Sequence, residues 1–140
     1  STGSTTTVNT VLRQIGENLG HYKSYPKIVG ETGGKNYIFA HPSASALDVA
    51  TAIVRGAFEY QGQKCSAGSR AYIPASLWKD VKEYVGDMLK EIKMGDVRDF
   101  TNFINAVIDE ASFDNIMSYI EYAKQSPDAE ILFVVTETNL

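Results

Sequence analysis

Helical spacing of apolar residues recurs four times along the chain. Apolar side chains stand three or four positions apart within residues 8–19, 44–60, 77–92 and 112–124. Hydroxyl residues precede the first segment, Ser76 is expected to cap the third, and Gly95 and Pro127 follow the last two. The pattern therefore predicts four amphipathic helices.

Short runs of β-branched and aromatic residues separate the helical segments and predict strands. They cover residues 26–30, 36–40, 70–74 and 131–135. Strands and helices thus alternate, and parallel strands need crossover connections of about this length. We expect an α/β fold of three layers, with a mostly parallel sheet and flanking helices.

Composition narrows the classes of function. The chain has 140 residues, 44% of them hydrophobic, and a net charge of −4, so it folds as a globular protein and is not expected to bind nucleic acid. One cysteine and two separated histidines provide neither an internal disulfide nor a metal cluster. No apolar run reaches the length of a membrane span and no leader pattern is present, so we expect no membrane partner and a reducing, intracellular compartment.

The single cysteine, Cys65, follows the second predicted helix within the polar loop Gly62-Gln63-Lys64-Cys65-Ser66-Ala67. A thiol among polar neighbours is accessible to solvent, and the adjacent Lys64 favours its nucleophilic thiolate form. Lone cysteines are more often buried small apolar residues. The loop alone therefore leaves a nucleophile and a packing residue both open.

Two further polar stretches suit chemistry. Glu31 lies between a predicted strand and a Gly-Gly turn, where it is either a general base made stronger by partial desolvation or an ordinary solvated acid. The stretch is not a phosphate-binding P-loop, because Val29 and Asn36 replace the glycine and the hydroxyl residue of that motif. The second stretch, Thr2-Gly3-Ser4, precedes a predicted helix. Its backbone N–H groups either bind a pyrophosphate or its hydroxyl residues only cap that helix.

Together these motifs resemble the aldehyde dehydrogenase superfamily. The motifs are Thr2-Gly3-Ser4, Gly30-Glu31-Thr32-Gly33-Gly34-Lys35-Asn36 and Phe58-Glu59-Tyr60-Gln61-Gly62-Gln63-Lys64-Cys65-Ser66-Ala67, in that order. The resemblance extends from residue 2 to about residue 133, with a slight departure at Tyr37. It is strongest toward the branch that oxidises glutamate-γ-semialdehyde, the open form of pyrroline-5-carboxylate, in proline catabolism.

The resemblance implies a role for each site residue. Cys65 would attack the aldehyde carbon, hydride would pass to NAD to leave a thioester intermediate, and Glu31 would activate the water that releases the carboxylate product. Gly3 and Ser4 would contact the pyrophosphate of NAD, and Ser66 would bind the carboxylate of the small-molecule substrate. No metal is implied.

The resemblance also implies that the chain is an internal fragment with a partial aldehyde dehydrogenase fold. Residues 1–42 would be the C-terminal part of the NAD-binding domain, and residues 43–140 the N-terminal part of the catalytic domain. We therefore expect the isolated chain to be inactive or nearly so and to form homo-oligomers through open strand edges. The compartment would be the bacterial cytoplasm or the mitochondrial matrix.

Two alternatives belong to other functional classes. The ending Glu137-Thr138-Asn139-Leu140 has the hydroxyl-x-aliphatic pattern that peptide-capturing domains bind, which would suit a non-catalytic interaction module. Cys65 would instead suit a thiol redox sensor, although the sequence offers no resolving cysteine.

Overall fold

The computed structural model describes residues 1–134 and divides the chain into two compact units, Ser1–Lys35 and Asn36–Leu140. The first contains helix α1 (Thr5–Glu17) and a 3₁₀ turn at Leu19–His21. The second contains, in order, β1 (Asn36–Phe39), α2 (Ala46–Phe58), a 3₁₀ turn at Glu59–Gly62, β2 (Gly68–Tyr72), α3 (Ala75–Glu91) and α4 (Glu110–Gln125). All four predicted helices and two of the predicted strands are therefore confirmed.

Helix α1 begins where the sequence predicts a hydroxyl cap. The Oγ atom of Ser4 accepts a hydrogen bond of 3.1 Å from the backbone N–H of Thr7, which satisfies one of the free donors of the first turn. Val8 is the buried residue of this helix. Its burial gives the first unit a small apolar centre.

The strand predicted at residues 26–30 is wrong. The end of this segment meets residues 1–3 in an isolated parallel bridge between Thr2 and Glu31, and the Ser1 amino group donates to the Val29 carbonyl oxygen at 2.7 Å. Its apolar run satisfies the composition of a strand, but a strand also needs a neighbour that continues the ladder. Within residues 1–134 that neighbour is too short.

The second unit is an α/β layer built on a parallel pair of strands. β1 and β2 pair in parallel, and α2 forms the crossover between them. Helices α2 and α3 pack against each other over the buried core. The core consists of Ala40, Val49, Ala50, Val54, Val81, Val85 and Leu89. The predicted parallel α/β class is thus confirmed, with a sheet of two strands in the described part of the chain.

Helix α3 differs from its prediction at both ends. It begins at Ala75 with Pro74 as its N-cap and no side-chain cap, so the expected cap at Ser76 is wrong. The pyrrolidine ring fixes φ of Pro74 at −58°, and the helix starts two residues earlier than it would with Ser76 as its cap. The helix ends at Glu91, before Gly95.

The last predicted strand is also wrong for its described part. Residues 131–134 form no strand, and the Phe133 ring lies instead against α3, where a Cβ atom at Gly86 would be 2.9 Å from it. Val135 and the ending Glu137–Leu140, on which the interaction-module alternative depends, lie outside the described residues. Within residues 1–134, no helix combines the length and apolar character needed to cross a membrane.

Candidate functional site

Cys65 lies in a tight turn that we call the thiol turn, residues 64–67. The backbone N–H of Ala67 donates to the carbonyl oxygen of Lys64 at 3.1 Å, which closes a four-residue turn with Cys65 and Ser66 at its centre. The Cys65 side chain is exposed. Of the two alternatives that the sequence leaves open for Cys65, the structure shows the solvent-accessible thiol in a loop after α2 and not the buried packing residue.

The chain reaches this turn through three left-handed residues. The φ angles of Tyr60, Gln61 and Gly62 are +54°, +56° and +69°. A Cβ atom at Gly62 would also lie 3.0 Å from the carbonyl oxygen of Ala57, so glycine is required there for both space and conformation. The two non-glycine residues are strained, and neighbouring contacts must hold them in place.

Those contacts are made by side-chain amides. The Nε2 atom of Gln61 donates to the carbonyl oxygen of Ala106 at 2.8 Å, and the Oε1 atom of Gln63 accepts from the backbone N–H of Ile108 at 3.0 Å. Both bonds join residues far apart in the sequence. Together they attach the approach to the thiol turn to the segment before α4.

Sequence reasoning missed these amide anchors. The stretch from Gln61 to Gln63 predicts only that α2 ends there, because it breaks the apolar spacing. A signal was nevertheless present, since two long amides flank a glycine at a helix end. Such residues can satisfy backbone groups of a distant loop, but the sequence does not identify that loop.

Charged side chains surround the exit of α2. The Nζ atom of Lys64 lies 3.3 Å from Glu59 Oε2, and Arg55 Nη2 lies 3.7 Å from Glu59 Oε1. The Arg55 guanidinium also lies 5.6 Å from the centre of the Phe103 ring, within the range of a cation–π contact. The ammonium of Lys64 thus pairs with the Glu59 carboxylate. That Lys64 favours the thiolate form of Cys65 stays a prediction.

The loop between α3 and α4 is held by its own carboxylates. Asp96 accepts from Arg98 Nη2 at 2.6 Å and from the Arg98 backbone N–H at 2.8 Å, and these bonds to Arg98 lower the pKa of Asp96. The backbone N–H of Thr101 donates to Asp99 at 2.9 Å and lowers the pKa of Asp99. This loop leads directly to Ala106, which receives the Gln61 anchor.

Glu31 is positioned in the first unit by its backbone. The N–H of Gly3 donates to the Glu31 carbonyl oxygen at 3.0 Å, and the N–H of Glu31 donates to the Ser1 carbonyl oxygen at 2.8 Å. The structure thus places two sequence-predicted residues, Gly3 and Glu31, side by side. The Glu31 side chain is exposed, so the described part of the unit does not supply the partial desolvation that the general-base alternative requires.

The start of α1 has the features of an anion site. Its first turn contains Thr5, Thr6 and Thr7 and no acidic residue, and the first N–H groups of a helix lack partners within it. An added Cβ at Gly3 would meet no heavy atom within 4 Å, so the space beside the helix start is open. These backbone groups fit a pyrophosphate. The Ser4 hydroxyl already serves as the helix cap, so its own hydrogen-bonding capacity is partly used.

The site residues therefore fall into two groups, each described within its own unit. Gly3, Ser4 and Glu31 belong to the first unit, where residues 1–3 and Glu31 are hydrogen-bonded. Cys65 and Ser66 belong to the second, where Asn36 contacts the thiol turn by donating to the Cys65 carbonyl oxygen at 2.6 Å.

Comparison with known proteins finds relatives that share one name. The Delta-1-pyrroline-5-carboxylate dehydrogenase of Dictyostelium discoideum, named as mitochondrial, is 55% identical over 133 residues, which are 94% of this chain and 24% of that protein. The human enzyme of the same name is 44% identical over 132 residues, covering 94% of this chain and 23% of that protein. The chain thus spans about a quarter of the length of the curated relatives it matches.

A solved structure and a family model agree with these relatives. The Delta-pyrroline-5-carboxylate dehydrogenase of Mycobacterium tuberculosis, solved with bound NAD, superposes with a TM-score of 0.83 at 46% identity, covering 90% of this chain and 24% of that chain. The expectation of a partial fold of this kind is confirmed. The family model described as "Aldehyde dehydrogenase family" matches residues 1–133. The chain therefore belongs to the aldehyde dehydrogenase family.

Proposed function

We propose that this chain carries the nucleophile, the general base and part of the cofactor site of an NAD-dependent dehydrogenase that oxidises glutamate-γ-semialdehyde to glutamate. The observation that carries the proposal is the exposed Cys65 at the centre of a tight turn, within a segment 55% identical to a pyrroline-5-carboxylate dehydrogenase. An exposed thiol on a fixed turn suits nucleophilic attack, because the substrate reaches the sulfur without displacing packed side chains.

The first half of the reaction takes place at the thiol. The Cys65 thiolate forms a C–S bond to the aldehyde carbon, and the carbonyl π electrons move to the oxygen, which the Cys65 backbone N–H helps to stabilise. Ser66 lies next to it in the turn and has a hydroxyl that can donate to the substrate carboxylate. When NAD is bound, it supplies hydride acceptance, and a thioester remains on Cys65.

The second half of the reaction needs a base. Glu31 accepts one proton from water as the water oxygen attacks the thioester carbon, the C–S bond breaks to leave the thiolate, and the product acid loses its remaining proton to solvent as the carboxylate. The carboxylate of Glu31 is open to water, and the proposal rests for this residue on its place in the stretch from Gly30 to Asn36, within the part of the chain that the family model matches.

The cofactor contact belongs to the first unit. Gly3 and Ser4 precede α1, whose free N–H groups and acid-free first turn fit the pyrophosphate of NAD. We place the boundary between the NAD-binding part and the catalytic part after residue 42, so that residues 1–42 and 43–140 contribute to different domains.

A segment exchange tests this proposal. The matched 133 residues of the Dictyostelium relative are replaced by the corresponding residues of this chain, and NADH formation is measured with glutamate-γ-semialdehyde. We expect turnover from the chimera and a loss of about 10³-fold or more in kcat for Cys65→Ser. Glu31→Gln should keep a single burst of NADH but slow its turnover, because acylation proceeds and thioester hydrolysis does not.

Controls separate catalysis from folding. Glu17→Gln, on the exposed surface of α1, should leave turnover unchanged. A Cys65→Ser chimera that remains active would contradict the role of the thiol. The 140-residue chain alone is expected to show little or no NADH formation, because the supporting residues of the longer relatives are not within it. Robust turnover by the chain alone would contradict that expectation.

Location and self-association form part of the same proposal. The Dictyostelium and human relatives are named as mitochondrial, and we propose an intracellular site, either the mitochondrial matrix or the bacterial cytoplasm. In the described two-stranded sheet, β1 and β2 each have an unpaired edge, which favours a homo-oligomer. Cell fractionation tests the first point, and a monomeric mass in light scattering would contradict the second.

A further inference from the structure

The Asn36 side chain makes a direct contact with the backbone of the proposed nucleophile. Its Nδ2 atom donates to the carbonyl oxygen of Cys65 at 2.6 Å, across 29 positions of sequence. Asn36 is the last residue of the stretch that begins with Glu31, and it is also the first residue of β1. Neither of these two positions in the sequence predicts that Asn36 contacts the thiol turn.

An irregularity in the sheet brings Asn36 to this position. Asn36 pairs with Gly68, but the next residue, Tyr37, pairs with Arg70, so β2 contains one extra residue at this point. A bulge of this kind redirects a side chain at the end of a ladder. Here the bulge lies at Asn36, the first residue of β1, whose side chain contacts the thiol turn just before β2.

The bonded carbonyl belongs to the central peptide of the thiol turn. Cys65 and Ser66 are the two central residues, so this peptide group carries the Cys65 carbonyl on one side and the Ser66 N–H on the other. Its orientation fixes ψ of Cys65 and φ of Ser66. Holding the carbonyl therefore holds both the direction of the thiol-bearing Cα and the placement of Ser66.

A second feature opposes rotation of the same peptide. Within residues 1–134, positive φ outside glycine is confined to Tyr60 and Gln61, so Ser66 keeps a negative φ. A flip of the central peptide would give Ser66 the positive φ of a type II turn, which its Cβ disfavours. The Asn36 bond and the Ser66 side chain thus stabilise one orientation.

We infer that Asn36 is a positioning residue for the proposed reaction: its amide fixes the central peptide of the thiol turn, and through it the Cys65 thiol and the Ser66 side chain. The inference rests on the proposed function for its catalytic consequence. The contact itself is independent of catalysis and is tested separately.

The first experiment measures the turn in the 140-residue chain. Amide hydrogen exchange of the Ala67 N–H, which closes the turn, is followed by NMR in Asn36→Asp, Asn36→Ala and Asn36→Ser. Loss of a hydrogen bond is expected to accelerate exchange on the order of three- to tenfold in the Asp and Ala variants. Asn36→Ser keeps a donor on a shorter side chain, so its exchange should fall between those of the native chain and Asn36→Ala.

A matched control comes from α1. The Nδ2 atom of Asn18 donates to the Gln14 carbonyl oxygen at 2.7 Å, an exposed bond of the same type far from Cys65 in the sequence. Asn18→Ala should leave Ala67 exchange unchanged. Unchanged exchange in Asn36→Asp and Asn36→Ala would overturn the inference whatever the activity.

The second experiment measures the catalytic consequence in the chimera described above. Asn36→Asp keeps the shape of the side chain but lacks the donor, so kcat should fall about tenfold or more, with a smaller rise in KM. Asn36→Ser, whose shorter side chain keeps a donor, should have a kcat between those of the native chimera and Asn36→Asp. Faster exchange with unchanged kcat in an active chimera would show that Asn36 is only structural and would overturn the inference. A native chimera without turnover would instead contradict the proposed function, while the exchange measurement still decides the contact.

Discussion

The two units hold their candidate chemical groups by different means. In the first unit, Glu31 is held by backbone hydrogen bonds to Ser1 and Gly3, beside a small apolar centre at Val8. In the second, the thiol turn is held by side-chain amides next to an extended apolar core. Backbone pairing tolerates many side chains, whereas an amide anchor depends on one residue type. The position of the proposed nucleophile is therefore more sensitive to single substitutions than that of the proposed base.

The largest expected effect on stability is in the core of the second unit. Val81 is fully buried, with 0% of its surface exposed, between the packed helices α2 and α3. Val81→Ala should lower the free energy of unfolding by roughly 2 kcal/mol, because it removes buried methyl groups and leaves a cavity. Urea unfolding monitored by circular dichroism measures the change.

The control for this core substitution is an exposed valine. Val97 is 69% exposed, so Val97→Ala should have little effect. Equal losses in the two variants would show that the apolar core does not dominate the second unit, and the comparison between the units would fail.

A smaller effect is expected at the centre of the first unit. A Cβ atom at Gly30 would lie 3.0 Å from Val8 Cγ1, whereas at Gly33 it would meet nothing within 4 Å. Valine in a helix has one strongly preferred rotamer, so Val8 yields little. Gly30→Ala should destabilise the unit by about 1 kcal/mol, and Gly33→Ala should not. Hydrogen exchange of the α1 amides measures both variants, and equal protection in the two would disprove the steric argument.

The smallest effect concerns acid and the loop between α3 and α4. Bonds to Arg98 and to Thr101 lower the pKa values of Asp96 and Asp99 in the folded chain. Their contribution to stability is therefore complete above the ordinary value of 3.8 and is lost as the pH falls through the lower folded pKa values. Thermal unfolding from neutral pH to below 3.8 should show this loss. The double variant Asp96→Asn with Asp99→Asn should flatten the profile, and an unchanged profile would contradict the role of these carboxylates.

Helices were predictable from the sequence because their stabilising pattern is local. The spacing of apolar residues predicts α1 to α4, and Ser4 caps α1 within the predicted hydroxyl run, whereas the cap expected at Ser76 is replaced by Pro74. The strand predicted at residues 26–30 and the described part, 131–134, of the strand predicted at residues 131–135 are absent, because a strand depends on a neighbour that the segment itself does not encode. At the site, the polar loop alone left Cys65 open between an exposed thiol and a buried packing residue, and only the combined motifs pointed to a nucleophile. The anchors from Asn36, Gln61 and Gln63 were missed, since their partners are 29 or 45 positions away.

The exposed position of Cys65 has a practical consequence. Because the sequence contains one cysteine, a maleimide dye or nitroxide attaches at that single position without any background substitution. The label reports the local environment of the thiol turn and blocks the sulfur at the same time. One titration with the reagent therefore gives both the spectroscopic signal and the fraction of Cys65 sulfur that is blocked.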